Sequence, residues 1–387
     1  MRRLPFEYAV RNLGRTPSRL VMSVGGTMLV VLLVIAASGF VTGMQHALKS
    51  SGATNNVILM GAGSEESIER SELPMRAAAI AAASIPNVRT KAGVEAVSPE
   101  IYLAMPLKRE VASDEGLVVI RGVTPAAFIV HEEVRILEGR LPERGANELA
   151  LGRLAAVALG FHIPGEAINE QFFVDTTAFT VVGILGADGG IVEGECWMPL
   201  TDLLIVAQRD SLSCIVMSLT NDDISSVEAF AARRLDLELI AQRESTYYAT
   251  LSSFYGPIRW MVFATAVLIG VGGVIGGLNT TYAAFASRER EIGTLQAIGY
   301  SRRAIVRSLL EESLLAASIG ALLATGLAVW LLDGIVIRFS MGVFGISITP
   351  SVLAIGLGSG LALGLVGAIV PAIRCLRLPI PEALRSA

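Results

Sequence analysis

Four apolar runs govern what this chain can become: residues 20–41, 260–283, 313–332 and 352–373. Each can cross a hydrocarbon core about 30 Å thick at about 1.5 Å of helical rise per residue. With their flanks, the spans are expected at 20–41, 257–285, 307–333 and 351–373. The chain is 52% hydrophobic with a mean hydropathy of +0.59, too apolar for a soluble globule of ordinary composition.

Arginine placement orients the spans, because Lys and Arg are retained on the cytoplasmic side near span ends. The first 19 residues hold Arg2, Arg3, Arg11, Arg15 and Arg19 against Glu7 alone. The segment between spans two and three holds Arg288, Arg290, Arg302, Arg303 and Arg307, and the tail 374–387 adds Arg374, Arg377 and Arg385. The link at 334–350 has only Arg338. Both termini are therefore expected inside the cell, and residues 42–256 outside.

That loop is long enough to fold by itself. It carries 16 basic and 28 acidic residues, a net of −12, which leaves +8 on the rest of a chain whose formal net is −4. An acidic external domain excludes nucleic acid as a partner, and the basic inner flanks suit the bilayer. Cys196 and Cys214 fall within it and could be bridged in an oxidising compartment or stand as two small buried hydrophobes.

Residues 1–19 are patterned as an amphipathic helix, Phe6, Ala9, Val10 and Leu13 against Glu7, Arg11, Asn12 and Arg15. This is expected to lie in the inner interface ahead of a retained first span, not to form a cleaved leader. In the loop, NNVILM, LVVIRGV and FTVVGIL read as strands, and 76–84 and 225–239 as helices. Tyr247, Tyr248, Phe254, Tyr255 and Trp260 read as an aromatic belt at the outer membrane face. The fold class expected is a membrane α-helical protein of four transmembrane helices, with an α+β extracytoplasmic domain inserted between helices one and two.

Small residues let spans approach closely. Gly272 and Gly276, Gly273 and Gly277, and Gly360 and Gly364 each stand four apart, and they suit packing within one chain or against a second. The segment 286–306 opens SREREIGTLQAIG, with Ile292, Leu295 and Ile298 as a narrow apolar stripe, Gly299 as a stop and Ser301 as the cap of the next helix. A short charged helix fixed between two spans is suited to receive force from a cytosolic partner.

Here the residues carry a likeness. SREREIGTLQAIGYSRRAIVRSLLEESLL resembles the cytoplasmic segment of FtsX-like permeases of ATP-binding cassette (ABC) transporters, the group that includes MacB, LolC/LolE and FtsX. RNLGRTPSRL is similar to the family's opening and PAIRCLRLPIPEALRSA to its close. GVEAVSP, VIRGVTP, RILEGRLPERGANELALGRLAA and FTVVGIL resemble the MacB-type periplasmic core domain in order and spacing. The resemblance implies an inner-membrane subunit in which the helix after span two couples to a cytosolic ATPase, with Arg288, Glu289, Glu291, Ile292, Leu295, Ile298 and Gly299 as contact candidates. No GxxxxGK[ST] phosphate loop occurs, so ATP and Mg are expected on a separate partner chain.

Catalytic and metal motifs are absent: no GxSxG, no HExxH, and His46, His131 and His162 are scattered. Arg307 and Glu311 suit a local ion pair, and Glu312, Asp333 and Arg338 read as interface anchors. The expected function is that of a non-catalytic permease of the mechanotransmission type, acting as a homo- or heterodimer, for efflux through a periplasmic adaptor and outer-membrane duct. Lipoprotein or lipid release and regulation of a cell-wall hydrolase are the alternatives.

Overall fold

The computed structural model describes residues 4–15, 17–109, 116–339 and 342–375. The arginines expected at 2, 3, 377 and 385, with the tail motif from residue 376, lie outside them. The helices run α1 (Phe6–Arg15), α2 (Pro17–Ser50), α3 (Arg76–Ser84), α4 (Ala127–Val130), α5 (Arg153–Ala158), α6 (Leu200–Val206), α7 (Ser225–Arg233), α8 (Glu244–Phe254), α9 (Gly256–Ala286), α10 (Glu289–Ala297), α11 (Arg302–Leu331) and α12 (Pro350–Cys375). The chain divides into two compact units, residues 1–42, 257–335 and 346–387 in the first, and 43–256 with 336–345 in the second.

In the first unit, four helical stretches are long and apolar enough to cross a membrane: Leu20–Ser50, Glu244–Ala286 from its α9 portion, Arg302–Leu331 and Pro350–Arg374. A helix satisfies its own backbone polar groups, which is what lipid demands. A seam of small side chains on α11 (Ala317, Ala321, Ala324 and Ala328) is fully buried and brings α2 and α12 close. Gly360 and Gly364 of α12 complete it, since a Cβ on either would stand 2.7 Å from Ala321 or 2.5 Å from Ala317. Gly273 packs likewise on Val30 of α2. A Cβ on Gly272 or Gly276 meets open space, so packing within the chain is not what these two serve, whereas the backbone of Gly277 lies against Gly367 of α12. The face of α9 that carries them also exposes Leu268, Val271 and Ile275.

Helix α1 lies against α11, and this corrects its expected faces. Asn12, grouped with the solvated side, is buried beside Ala9, while Phe6 and Val10 stay exposed.

The second unit is built on a ten-stranded mixed sheet. Its path runs Leu239–Arg243, Asn56–Gly61, Cys214–Ser218, Val97–Lys108, Gly116–Val123, Glu195–Pro199, Glu148–Gly152, Thr177–Gly186 and Arg135–Gly139, with Gln171–Val174 pairing beside it. The three expected strands are present, and 76–84 is α3. The helix expected at 225–239 stops at Arg233, because Glu238 turns left-handed and Leu239 enters the sheet beside Asn56–Gly61. One sheet face is packed by Ala77 and Ala81 of α3, Val227 and Phe230 of α7, and Leu203 of α6 over Val57, Ile101, Ile120, Leu151 and Met198. Cys196 and Cys214 are both buried and free, and burial pushes both thiols up.

The link between α11 and α12 is a hairpin, Val336–Phe339 with Gly342–Gly345, that belongs to the second unit. Its Val343 and Phe344 are buried, and Gly194 allows the fit, since a Cβ there would stand 3.0 Å from the Val343 carbonyl oxygen. Tyr247, Tyr248 and Tyr255 are also buried in this unit, which corrects the expected aromatic belt. Phe254 and Trp260 alone of that set are exposed.

Strand register assembles a charged cluster inside the same unit. Tyr102 pairs with Arg121 across an antiparallel step, and Arg121 with Trp197 across a parallel one, so the three side chains stand in one row. Glu100 and Glu195 precede Tyr102 and Trp197 by two residues and therefore share that face. Arg121, with no exposure at all, donates to Glu195 at 2.7 Å and Glu100 at 3.4 Å and lies 4.2 Å over the Tyr102 ring. His131 is 2.9 Å from Glu100 and 3.6 Å from Glu244, with half-exposed Glu133 at 3.9 Å. Glu244 also accepts from Asn56 and from the Ala53 amide.

Burial opposes the charged forms, but His131 and Glu100 charge each other: His131 is raised to about 9 and Glu100 lowered to about 2, with Arg121 opposing the first and aiding the second. Stability from His131 is then full below its ordinary value near 6.5 and is lost as pH rises through about 9. That from Glu100 is present above about 4.5 and is lost as pH falls toward 2. Melting of the full chain, followed by tryptophan fluorescence, should therefore show a midpoint that declines from pH 6.5 to 9.5. A His131→Gln variant should flatten that decline, and a flat wild-type profile would contradict the pairing.

Candidate functional site

The charged element between the second and third spans is α10, and local chemistry fixes both its ends. Arg288 precedes its first turn, where Glu289 and Glu291 complement the helix dipole. At the other end Gly299 has φ +102°, which favours glycine, and the closing bonds run from the Tyr300 amide to the Leu295 carbonyl and from the Gly299 amide to the Gln296 carbonyl. Leu295 and Tyr300 accompany these bonds as partly buried apolar partners. Ser301 then caps α11, its hydroxyl accepting from the Ala304 amide.

Arg288 holds α10 in place. Its Nη1 donates to Glu312 of α11 at 2.9 Å and its Nε to Glu291 at 3.0 Å. Glu291 accepts from the Tyr8 hydroxyl of α1 at 2.7 Å, and Arg15 stands 3.6 Å away. Burial disfavours the Arg288 charge, yet Glu312 and Glu291 outweigh it and hold the guanidinium protonated. Burial likewise works against the Glu291 carboxylate, and the bonds from Tyr8 and Arg288 overcome it, so its pKa is lowered. Beneath this polar set, Ile292 is buried with Phe285, Ile305 and Leu309.

The seven contact candidates therefore separate. Arg288, Glu291 and Ile292 are engaged within the chain, and Leu295 is partly so. Glu289 is half-buried, while Ile298 is 59% exposed and Gly299 is exposed beside Arg290, Thr294, Arg302 and Arg303. Two members of the network escaped sequence reasoning. Tyr8 was not singled out, and Glu312 was read as an interface anchor beside the Arg307–Glu311 pair, which does form at 2.8 Å. Its burial had a signal: Ile305, Leu309, Glu312 and Ala316 fall at helical spacing on one buried stripe.

Comparison with known proteins gives this arrangement its context. Residues 20–233 match the MacB-like periplasmic core domain, and residues 261–380 match the FtsX-like permease C-terminal domain. The chain belongs to the MacB/FtsX-type ABC transporter permease family. The permease is similar to the macrolide export ATP-binding/permease protein MacB 2 of Aeromonas hydrophila, at 24% identity over 75% of this chain and 46% of that protein. It therefore spans under half the length of that relative. It is 25% identical to an ABC transporter permease of Bacillus subtilis, YvrN, across 95% of both chains. The solved periplasmic region of MacB from Actinobacillus actinomycetemcomitans is 14% identical, covering 54% of this chain and 97% of its own, with a TM-score of 0.40. Four apolar helices and a periplasmic-type domain suit the permease to the inner membrane.

Removing Arg288 would break its ion pairs with buried Glu312 of α11 and with Glu291 of α10, a loss of the kind that costs about 3 kcal/mol or more. Arg288→Met should lower the melting midpoint of the purified permease clearly, whereas Arg290→Met, at an exposed position of the same helix, should leave it within a degree or two.

Proposed function

We propose that this permease is the membrane subunit of a mechanotransmission machine, with α10 as the element that receives work from a separate cytosolic ABC ATPase. That partner binds ATP and Mg. Both termini and α10 face the cytoplasm, and the second unit is the extracytoplasmic domain, inserted between the first and second spans. The observation that carries the reading is the Arg288 bridge. A push on α10 reaches α1 through Tyr8 and α11 through Glu312, since the polar bonds and Ile292 make the three helices move together.

The docking surface is the rim formed by exposed Ile298 and Gly299 and half-buried Glu289, with exposed Arg290 and Arg302 beside them. A second permease chain, identical or related, covers the open face of α9 at Gly272 and Gly276. Export is the preferred task, because two relatives bear the name of macrolide export proteins, and a periplasmic adaptor with an outer-membrane duct completes that path.

The two halves of α10 separate experimentally. Ile298→Arg combined with Glu289→Arg should weaken capture of the cytosolic ABC ATPase partner by about tenfold, with the permease melting normally. Glu312→Gln should leave capture intact and uncouple ATP hydrolysis from movement of the second unit, followed by a spin-label pair. Undiminished capture by the double variant, or labelling of Thr294→Cys from outside the cell, would overturn the assignment.

A further inference from the structure

The second unit contains a cavity of about 320 Å³ that plays no part in the coupling scheme. Its size is ordinary for a small-molecule site. The wall is aromatic, with Tyr247 and Tyr248 edge to face at 5.3 Å, and Tyr255 and Phe344 likewise at 6.3 Å. Phe344 comes from the hairpin, so the cavity is complete only when the hairpin is seated.

Two features of its polar lining point to a missing occupant. Tyr102 and Tyr248 are only 8% and 6% exposed, yet neither hydroxyl has a hydrogen-bond partner among the described residues. Both oxygens are reachable from the cavity and so can bond what fills it. The Tyr247 hydroxyl, by contrast, accepts from the Ile68 amide. Glu69, half-buried in the same wall, likewise has no hydrogen bond or ion pair among the described residues. Burial, and then the charge of Glu195, makes its carboxylate costly, with Arg70 opposing only in part.

Charge sets the sign of the ligand. Glu195 also lines the cavity but is engaged by Arg121 and Trp197. Arg121 covers one face of the Tyr102 ring, so that residue offers the cavity its hydroxyl. Two carboxylates, Glu100 and Glu195, offset this guanidinium, and of the other charged residues in the wall Glu66 and Glu69 outnumber Arg70, so the balance is negative. Aromatic faces and an excess of carboxylates attract a cation and disfavour an anion.

We propose that this cavity binds a hydrophobic cation, an amine-bearing amphiphile. Its ammonium sits between Glu69 and the rings of Tyr248 and Phe344, and its polar substituents meet the hydroxyls of Tyr102 and Tyr248. Binding is a property of the second unit alone. Only the further statement that such a molecule is cargo rests on the export reading.

Rhodamine 6G is a suitable probe, with anisotropy measured on the full chain in lipid nanodiscs after subtraction of empty nanodiscs. Saturable binding is expected, with the Kd raised about tenfold by Glu69→Gln, partly restored by Glu69→Asp, and raised several-fold by Phe344→Ala. A neutral dye of similar size should ignore Glu69→Gln. Tryptophan-fluorescence melts establish that the variants fold, and Tyr248→Phe gives a second, milder reading at the unpartnered hydroxyl. Equal rhodamine affinity in wild type and Glu69→Gln, or equal response of the neutral dye, overturns the site. Site-dependent binding without ATP-driven transport by the reconstituted complex keeps the site and overturns the export reading instead.

Discussion

A guanidinium with carboxylates on two different helices holds the first unit in register. Arg288 is mostly removed from water, and such a group is stable only with its charge answered and its donors directed. Glu312 answers from α11 and Glu291 from α10, and Tyr8 joins from α1. The turn at 287–288 is thereby placed, and Ile292 is carried onto Phe285 and Ile305. Apolar packing alone would let a nine-residue helix slide on its neighbours. Directed bonds from one side chain to two helices prevent that, which makes α10 a stiff element, as the proposed force transmission requires.

The second unit repeats the device in another architecture. Arg121 is fully buried between Glu100 and Glu195, which belong to the two strands flanking its own, and His131 extends the network to Glu244 at the start of α8. The network therefore includes Asn56, where the chain enters the sheet after α2, and Glu244, where it leaves. An ion cluster buried so deeply adds little net stability over a hydrophobic one, but losing any member is costly. It fixes where the first strand and α8 meet. The hairpin at 336–345 adds two chain crossings to those at 42/43 and 256/257, so the chain passes between the two units four times.

Much of this was legible beforehand, and the reasons are local. Apolar runs of about twenty residues announce helices because lipid permits little else. Strands such as Gly116–Val123 announce themselves through β-branched runs bounded by glycine, and α10 through Gly299 and Ser301, whose roles depend on backbone geometry within a few residues. The family likeness was readable for a similar cause, since its motifs are contiguous. Misjudged features all involved distant partners. Tyr247, Tyr248 and Tyr255 looked like a membrane belt from their position before a span, whereas Phe344 and Tyr102, far away in the chain, give them a cavity to line. Glu312 resembled an anchor from its neighbours Arg307 and Glu311, and became a buried counter-ion through Arg288.

Composition and periodicity thus indicated the four apolar helices, the α+β character of the second unit and the charged helix with its stops, while contiguous motifs carried the likeness to the family. They could do so because each depends on residues within one or two helical turns or one strand. Which glycines pack, which candidates on α10 remain free, and which histidine joins a charge network depended on contacts between segments up to hundreds of residues apart. Gly360 and Gly272 have the same spacing signal, yet one meets Ala321 and the other open space. That difference arises from helix rotation and sheet register, which are set by the summed packing of the whole chain.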